Sequence, residues 1–288
     1  MAQPAMLTET YRSVVAAWEC DVMGHLTIAY YFDRFADAAL TLIEGLAPAL
    51  PPGAAWRSSR LRARYQKELR AGDGIAIRSG VIAEEAGAIV IGHALLATAE
   101  DDVATLVEHR LTRRELPYGG REEMQQGFAA SVVPWISPGF DPIAEAARPE
   151  RMIASGSDRV KAWEVDERGE LSLSGYVHRF ARACFHVCSA FGMTAAYMRQ
   201  HRRGFSTFET RLHLLAPLPG ASEGLVLRSG LIAVGHSSLH MMHEMRHRHG
   251  GELLARFHQA GVHFDMDARR SAPLPPELHK RAQALVVA

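Results

Sequence analysis

Apolar residues recur every three or four positions between residues 32 and 46. The members of this stripe are Phe32, Phe35, Ala36, Ala39, Leu40, Ile43 and Leu46. Such spacing places them on one face of a helix, and three prolines at positions 48, 51 and 52 prevent the helix from continuing. The pattern therefore predicts one long, half-buried helix, preceded by a polar turn that carries Asp21, Gly24 and His25.

The same stretch occurs twice, because residues 163–191 repeat the pattern of residues 18–46 without a gap. Pairs shared by the two copies are Trp18 and Trp163, Glu19 and Glu164, Asp21 and Asp166, Gly24 and Gly169, Tyr31 and Tyr176, and Arg34 and Arg179. Further along the chain, residues 225–233 echo residues 75–83. Two similar segments in the same order indicate a duplicated unit.

Short segments with alternating or apolar character, separated by turn residues, predict strands around each helix. They cover residues 11–20, 57–70, 75–83, 88–99 and 103–115, and then 158–165, 205–215, 224–234, 236–248 and 252–264. Short turns between successive strands favour antiparallel meanders. We predict an α+β chain with unit 1 at 1–116, a linker at 117–151, unit 2 at 152–270 and a C-terminal tail at 271–288.

Bulk composition is typical of a globular protein. Of 288 residues, 48% are hydrophobic and 22% are charged, with 32 Lys and Arg balanced by 32 Asp and Glu. This balance provides no overall field that favours nucleic acid or an anionic membrane. The longest apolar run, residues 86–99, is too short to span a bilayer, and the first residues lack a signal-peptide pattern. We expect a cytoplasmic protein with no nucleic-acid or membrane partner.

Cysteines and histidines offer little support for a metal site. Cys184 and Cys188 lie four residues apart on the second stripe, which favours core packing. On a strand, His243, His247 and His249 share one face, but a metal site needs ligands that converge from several elements. A solvated strand face or pocket rim is the favoured interpretation, and no metal is expected.

A strand followed by D-x-x-G-H-aliphatic-x-x-A-x-Y and a long helix resembles the hot-dog fold thioesterases of the 4-hydroxybenzoyl-CoA thioesterase-like group. The matching residues are Asp21, Gly24, His25, Leu26, Ala29 and Tyr31. The resemblance covers most of residues 10–115 and 155–265. It implies a tandem, or double, hot-dog in which each unit is a curved antiparallel sheet wrapped around one long central helix.

This resemblance assigns the role of catalytic carboxylate to Asp21. Thioester hydrolysis needs a carboxylate that attacks the carbonyl or deprotonates water, together with donors for the oxyanion. Backbone amides at the helix start, near Ile28 and Ala29, are suitable donors. His25 is the second catalytic candidate. The further substrate-binding candidates are Gly24, Thr27 and Tyr31. The alternative is that Asp21 and His25 are structural and stabilise the turn.

The second copy keeps Asp166 and Gly169 as a possible second site, but Glu170 replaces the histidine. We expect this turn to be degenerate, although two working sites with different tuning are the alternative. Four carboxylates occupy residues 164–170, so like charges should disfavour ionisation of any member that is desolvated.

The sequence therefore predicts an acyl-CoA thioesterase that releases a free acid and coenzyme A, with coenzyme A entering as part of the substrate and no other cofactor. Arg and Lys of residues 57–70 would meet its phosphates or form a polar strand face. The alternatives are a hot-dog enoyl-thioester hydratase or dehydratase, and a non-catalytic acyl-CoA-binding protein. Exposed sheet edges make a homodimer of double hot-dogs plausible.

Overall fold

The computed structural model describes residues 6–21, 23–48, 56–114, 128, 131–140, 142, 146, 148–215 and 218–288. The chain divides into two compact units, residues 1–140 and residues 141–288. This division falls within the predicted linker, of which residues 117–127, 129–130, 141, 143–145 and 147 lie outside the described part.

Unit 1 combines one long helix with an antiparallel sheet. Its elements are β1 (Thr8–Val14), α1 (Ile28–Leu46), β2 (Trp56–Tyr65), β3 (Gly74–Glu85), β4 (Ala88–Ala97) and β5 (Asp102–Arg113). The strand order across the sheet is β1-β3-β4-β5-β2. Strand β1 ends at Val14 rather than at the predicted Cys20, because residues 17–19 form a short 3₁₀ turn.

The predicted apolar stripe overlaps the buried face of α1 in part, because Ala36, Leu40 and Leu46 are only half-buried while Ala38 and Leu42 are buried. Phe32, Phe35 and Ile43 are fully buried, and the C-terminal half of the helix packs on Ile89 and Ile91 of β4. Burial of a large apolar side chain stabilises a fold by about 1.5–3 kcal/mol. Burial of these side chains therefore determines which face of α1 meets the sheet.

Unit 2 repeats this arrangement and adds two shorter helices and a two-residue strand. Its elements are β6 (Ile153–Arg159), α2 (Leu173–Ala190), α3 (Ala195–His201), β7 (Arg203–Leu214), β8 (Gly224–Val234), β9 (Ser238–His247), β10 (Leu253–Asp265), β11 (Arg270–Ser271) and α4 (Pro276–Ala284). The strand order is β6-β8-β9-β10-β7, and β11 pairs with β10. Cys184 and Cys188 are buried in the core as predicted.

The interpretation of His243 as part of a solvated strand face is wrong. His243 is fully buried, and its ring lies 6.0 Å from that of Phe180 on α2. Strand β9 ends at His247, so His249 lies in the following turn. Alternation along the strand therefore stops before it can align the three histidines.

Each unit has a segment that returns to its sheet after the last long strand. The Val133 amide donates to the Val81 carbonyl at 2.8 Å, and the Val287 amide donates to the Leu231 carbonyl at 2.8 Å. In unit 2, helix α4 also buries Leu278 and Ala282 in the core. Parts of the predicted linker and tail are thus packed against the units they follow. No helix in the described ranges is long and apolar enough to cross a membrane.

Candidate active site

Asp21 lies at the start of the turn that precedes α1. Its Oδ1 atom accepts hydrogen bonds from the amides of Met23 at 2.8 Å and His25 at 3.2 Å. The side chain is exposed, and Oδ2 accepts no hydrogen bond from the residues that the structure describes. Asp21 therefore stabilises the turn through one oxygen and presents the other to solvent.

The turn is closed against the beginning of α1 by backbone hydrogen bonds. The Asp21 amide donates to the His25 carbonyl at 2.8 Å, and the Thr27 amide donates to the Glu19 carbonyl at 2.9 Å. Gly24 adopts a φ of +77°, which favours glycine because a Cβ would be strained there. The helix begins at Ile28 as predicted. The amides of Ile28 and Ala29 have no partner within the helix, and the helix dipole makes this end positive.

Among the other candidates, His25 and Tyr31 are held inside the unit. His25 is buried, and its Nε2 lies 3.3 Å from Oε2 of Glu68. Tyr31 is also buried and packs edge-on against Tyr65, with ring centroids 5.2 Å apart. Burial raises the pKa of Tyr31 above its usual value, so its hydroxyl stays protonated. The structure brings Asp21, Gly24, His25 and the helix start together, and it places Tyr31 in the core.

An ion pair that sequence reasoning did not assign joins the turn to the helix. Arg34 Nη2 lies 2.7 Å from Glu19 Oε2, and Arg34 Nη1 donates to the Tyr30 carbonyl at 3.0 Å. Glu19 Oε2 also accepts from the Ala16 amide at 2.8 Å. The signal was present in the sequence, because both charges recur at the same spacing in the second copy as Glu164 and Arg179.

The second turn has nearly the same backbone. Asp166 Oδ1 accepts from the amides of Arg168 at 2.9 Å and Glu170 at 3.0 Å, and Gly169 has a φ of +75°. A difference lies at the helix start, where the Ser172 hydroxyl accepts from the Gly175 amide at 3.2 Å. Thr27, at the same position of α1, makes no such side-chain cap.

The expectation that crowded carboxylates disfavour ionisation is wrong for Glu164. Burial acts to raise the pKa of Glu164, but hydrogen bonds from Arg179 and from the Lys161 amide outweigh it and hold this pKa below its usual value. Arg179 Nη2 lies 2.8 Å from Glu164, and Arg179 Nε lies 2.9 Å from Asp158. An arginine that the sequence places fifteen residues away thus compensates the local negative charge.

Strand β2 carries four of the basic residues that were candidates for phosphate contacts, namely Arg57, Arg60, Arg62 and Arg64, whereas Lys67 and Arg70 follow the strand. Arg62 pairs with Glu108 and lies over the ring of Phe140 at 4.6 Å, while burial lowers the pKa of Arg60. Arg62 is therefore engaged within unit 1. In the described part of the chain, no group of three or more His, Cys, Asp or Glu side chains is arranged to hold a metal ion.

Comparison with known proteins bears on this geometry. The family model described as the thioesterase-like superfamily matches residues 15–129 and again residues 160–282. The chain belongs to the thioesterase-like superfamily. The first match includes the Asp21 turn and α1, and the second includes their counterparts in unit 2. No curated protein sequence matches this thioesterase.

Solved structures show the same fold over most of the thioesterase. An acyl-ACP thioesterase from Bacteroides thetaiotaomicron VPI-5482 has a TM-score of 0.68 at 12% identity, covering 91% of this chain and 100% of that chain. A putative oleoyl thioesterase from Lactobacillus plantarum has a TM-score of 0.68 at 11% identity, covering 90% and 98%. A 12:0-ACP thioesterase from Umbellularia californica has a TM-score of 0.64 at 8% identity, covering 90% and 94%.

At these identities the structural likeness establishes the fold, and the substrate of each relative remains a property of that relative. Superfamily membership places this thioesterase among the thioester hydrolases.

Proposed function

We propose that the thioesterase hydrolyses an acyl-CoA at the turn of unit 1, producing a free acid and coenzyme A. The observation that carries this proposal is the Asp21 carboxylate, which has one oxygen bound by the turn and the other exposed, next to the start of a buried helix. The amides of Ile28 and Ala29 would hold the thioester carbonyl oxygen. Such preorganised donors stabilise the negative charge that develops there.

Two routes use the same atoms. As a general base, Asp21 takes a proton from water while the water oxygen bonds to the acyl carbon. The C–S bond then breaks, and the proton passes to the departing thiolate. As a nucleophile, Asp21 forms an anhydride with the acyl group, releases the thiolate, and is regenerated when water cleaves the anhydride. Both routes convert a thioester and water into a carboxylic acid and a thiol.

His25 and Thr27 would position the substrate. The His25 ring contacts Glu68 and the His25 amide donates to Asp21 Oδ1, so the residue is held beside the proposed catalytic carboxylate. The Thr27 hydroxyl makes no helix cap, so it can donate to a substrate oxygen. Gly24 gives the turn its left-handed backbone.

We propose that unit 2 lacks a working site. Glu170 occupies the position of His25, and a carboxylate there would repel a developing oxyanion. Ser172 is also engaged with the Gly175 amide, whereas Thr27 is not engaged in this way. Unit 2 would then retain the fold without catalysing hydrolysis, and the reaction would take place in unit 1.

The finer features of the architecture also belong to this proposal. Each sheet would curve around its long helix in a hot-dog unit, and the two units would descend from one duplicated unit. No cofactor is required beyond the coenzyme A of the substrate. Further pairing of such chains into a homodimer is an expectation that a measurement of molar mass in solution will test.

The central experiment measures free-thiol release from short, aromatic, long and betaine-like acyl-CoAs. Wild type is compared with Asp21→Asn and with its matched control Asp166→Asn, which makes the same change in the equivalent turn. We expect Asp21→Asn to lose at least about a hundredfold in kcat/KM, and Asp166→Asn to retain wild-type activity.

Comparable partial losses in the two variants would instead indicate two working sites. Thiol release that survives Asp21→Asn on every substrate would reject Asp21 as the catalytic carboxylate. Water addition to an enoyl-CoA without thiol release would favour the hydratase alternative. Tight acyl-CoA binding without any turnover would reject hydrolysis altogether.

A further inference from the structure

A row of polar side chains crosses the sheet of unit 1, and each of its strands contributes one member. In the order of the strands these residues are Thr10, Ser79, His93, His109 and Ser58. Thr10 Oγ1 lies 2.7 Å from Ser79 Oγ, and Ser79 Oγ lies 2.7 Å from His93 Nδ1. At the other end, Ser58 Oγ lies 2.8 Å from His109 Nε2. We call this row the polar ladder of unit 1.

Unit 2 contains a ladder with the same layout. Its members, again in strand order, are Ser155, Ser229, His243, Gln259 and Thr207. Ser155 Oγ lies 2.6 Å from Ser229 Oγ, and Ser229 Oγ lies 2.7 Å from His243 Nδ1. Gln259 Nε2 donates to Thr207 Oγ1 at 2.7 Å. The sequences of the two ladders differ at most positions, yet the hydrogen-bonded pairs recur.

Both ladders are interrupted at the same place. His93 pairs in register with Val107, so His109 is its diagonal neighbour on the next strand. Likewise His243 pairs with Phe257, and Gln259 is diagonal to it. Diagonal neighbours are farther apart than directly opposed residues, and the rings of His93 and His109 have centroids 5.7 Å apart. The two side chains on either side of each break are therefore not directly hydrogen-bonded, and we call this break in the ladder the gap.

The gap leaves polar atoms buried without partners. Within the described ranges, His93 Nε2 and His109 Nδ1 have no hydrogen-bond partner, and the same holds for His243 Nε2 and Gln259 Oε1. All four side chains are at least 96% buried, with exposed fractions of 0% for the three histidines and 4% for the glutamine. An unsatisfied buried polar group destabilises the fold. Buried polar groups are therefore normally hydrogen-bonded to the protein or to an ordered water molecule.

The hydrogen bonds along the ladder determine what the gap of unit 1 accepts. The Thr10 hydroxyl donates to the Ile77 carbonyl at 3.3 Å, so the Ser79 hydroxyl donates to Thr10. Ser79 then accepts from Nδ1–H of His93, which leaves Nε2 of that neutral ring as an acceptor. When Ser58 donates to His109 Nε2, the other ring nitrogen of His109 carries a hydrogen. The gap then presents one acceptor and one donor.

We propose that the gap in the unit 1 ladder is a binding site for a hydroxyl-type group, which donates to His93 Nε2 and accepts from His109 Nδ1. Two sources provide this chemistry, namely an internal water molecule and a hydroxyl on the acyl group of the substrate. Burial lowers the pKa of His93 well below its usual value and lowers that of His109 to about 3. Both rings are therefore neutral during turnover, as this pattern of donors requires.

The substrate source rests on the proposed function. His93 lies 5.5 Å from the ring of Phe35, which is seven residues beyond Ile28 on α1. Seven residues of helix span about 10 Å. An acyl group whose carbonyl is held at the helix start, and whose chain follows α1, would bring a hydroxyl several carbons away to the gap.

The first test is a high-resolution crystal structure of the substrate-free enzyme. We expect ordered density within hydrogen-bond distance of both His93 Nε2 and His109 Nδ1. This density should persist in His109→Gln, which copies the residue that unit 2 uses at this position, and disappear in His109→Leu. Circular dichroism and thermal melting will show that each variant is folded. A direct hydrogen bond between the two rings, with no density between them, would overturn the proposal. This test does not depend on turnover.

The second test separates the two sources. Acyl-CoA pairs that differ by one hydroxyl, placed at successive carbons, are compared by kcat/KM. If the acyl group supplies the hydroxyl, the hydroxylated member at the matching carbon should be favoured about tenfold, the value of one well-placed hydrogen bond. His109→Leu should remove this preference and His109→Gln should keep it. If the enzyme shows no preference for any hydroxylated acyl-CoA, and the density between His93 and His109 is present, the occupant is water. If no substrate shows turnover that depends on Asp21, the proposed function is rejected. The density test remains valid in that case, because it does not require turnover.

Discussion

Arg34 Nη2 on α1 lies 2.7 Å from Oε2 of Glu19, fifteen residues earlier in the chain. The pair is largely shielded from water, with side-chain exposures of 5% and 15%. It ties the 3₁₀ turn at residues 17–19 to the helix on the two sides of Asp21. The geometry of the proposed catalytic turn therefore depends on a contact made away from the chemistry.

Loss of the Glu19 charge should lower the free energy of unfolding more than loss of the equivalent Glu164 charge in unit 2. Removing one member of a buried ion pair costs about 3–5 kcal/mol because the other charge stays buried, and Glu19→Gln should fall near this range. Glu164→Gln should cost less, because Asp158 still lies 2.9 Å from Arg179. Urea unfolding of the two variants measures the difference. Equal losses would show that Asp158 does not compensate.

The long helix and the turn were predictable because each depends on residues close together in sequence, and the likeness of the two units was visible as a repeat of residues 18–46 at residues 163–191. The start of α1 near Ile28 and part of its buried face agree with the local sequence pattern.

The polar ladders were not predicted, because their members come together only through strand pairing across many residues. Ser79 and His93, for example, are register partners on β3 and β4, and neither stands out in a local pattern. The Glu19–Arg34 ion pair was also missed, although its two charges recur in the second copy as Glu164 and Arg179.

The two helix starts should respond differently to loss of the capping hydroxyl. Ser172→Ala removes a cap to the Gly175 amide and should cost about 1 kcal/mol of stability. Thr27→Ala removes no cap, so its effect on stability should be smaller. Its kcat/KM should fall if the hydroxyl positions the substrate as we propose. Thermal melting compares the stability of the two variants, and thiol release compares their activity. A Thr27→Ala enzyme with full activity would remove Thr27 from the site.

The region between the units was harder to interpret from sequence than the units themselves. Prolines and glycines in residues 117–151 suggested a linker, yet Val133 bonds to β3 in the same way that Val287 bonds to β8. The shared Val-Val pair at 132–133 and 286–287 is the local signal that connects them. Two residues are too short a repeat to be recognised before the pairing is known.

Buried histidines should make the fold sensitive to acid. Burial lowers the pKa of His109 to about 3, whereas the unfolded chain binds a proton near the ordinary value of about 6.5. Below about pH 6.5 the unfolded state therefore holds more protons, and stability falls with acidification until about pH 3. His109→Gln should flatten this dependence by up to about 1.4 kcal/mol per pH unit.

Denaturant unfolding between pH 7.5 and 4.5 measures this slope. His243→Gln is a parallel variant in unit 2, because burial lowers the pKa of His243 to about 3 as well. This variant should likewise reduce the dependence of the free energy of unfolding of unit 2 on pH. A His109→Gln protein with the wild-type slope would mean that the ring binds a proton inside the folded unit.

Gly230 on β8 should be intolerant of a side chain because the returning C-terminal segment lies directly against it. A Cβ at Gly230 would lie 2.7 Å from Cγ2 of Val287, and overpacking of this kind costs about 1–3 kcal/mol. Val287→Ala removes the contacting methyl groups, so Gly230→Ala should be less destabilising in that background. A double-mutant cycle by urea unfolding isolates this coupling. If the effects of the two changes on the free energy of unfolding are additive, the contact between Val287 and β8 is not energetically coupled. The segment after α4 would then contribute little to the stability of unit 2.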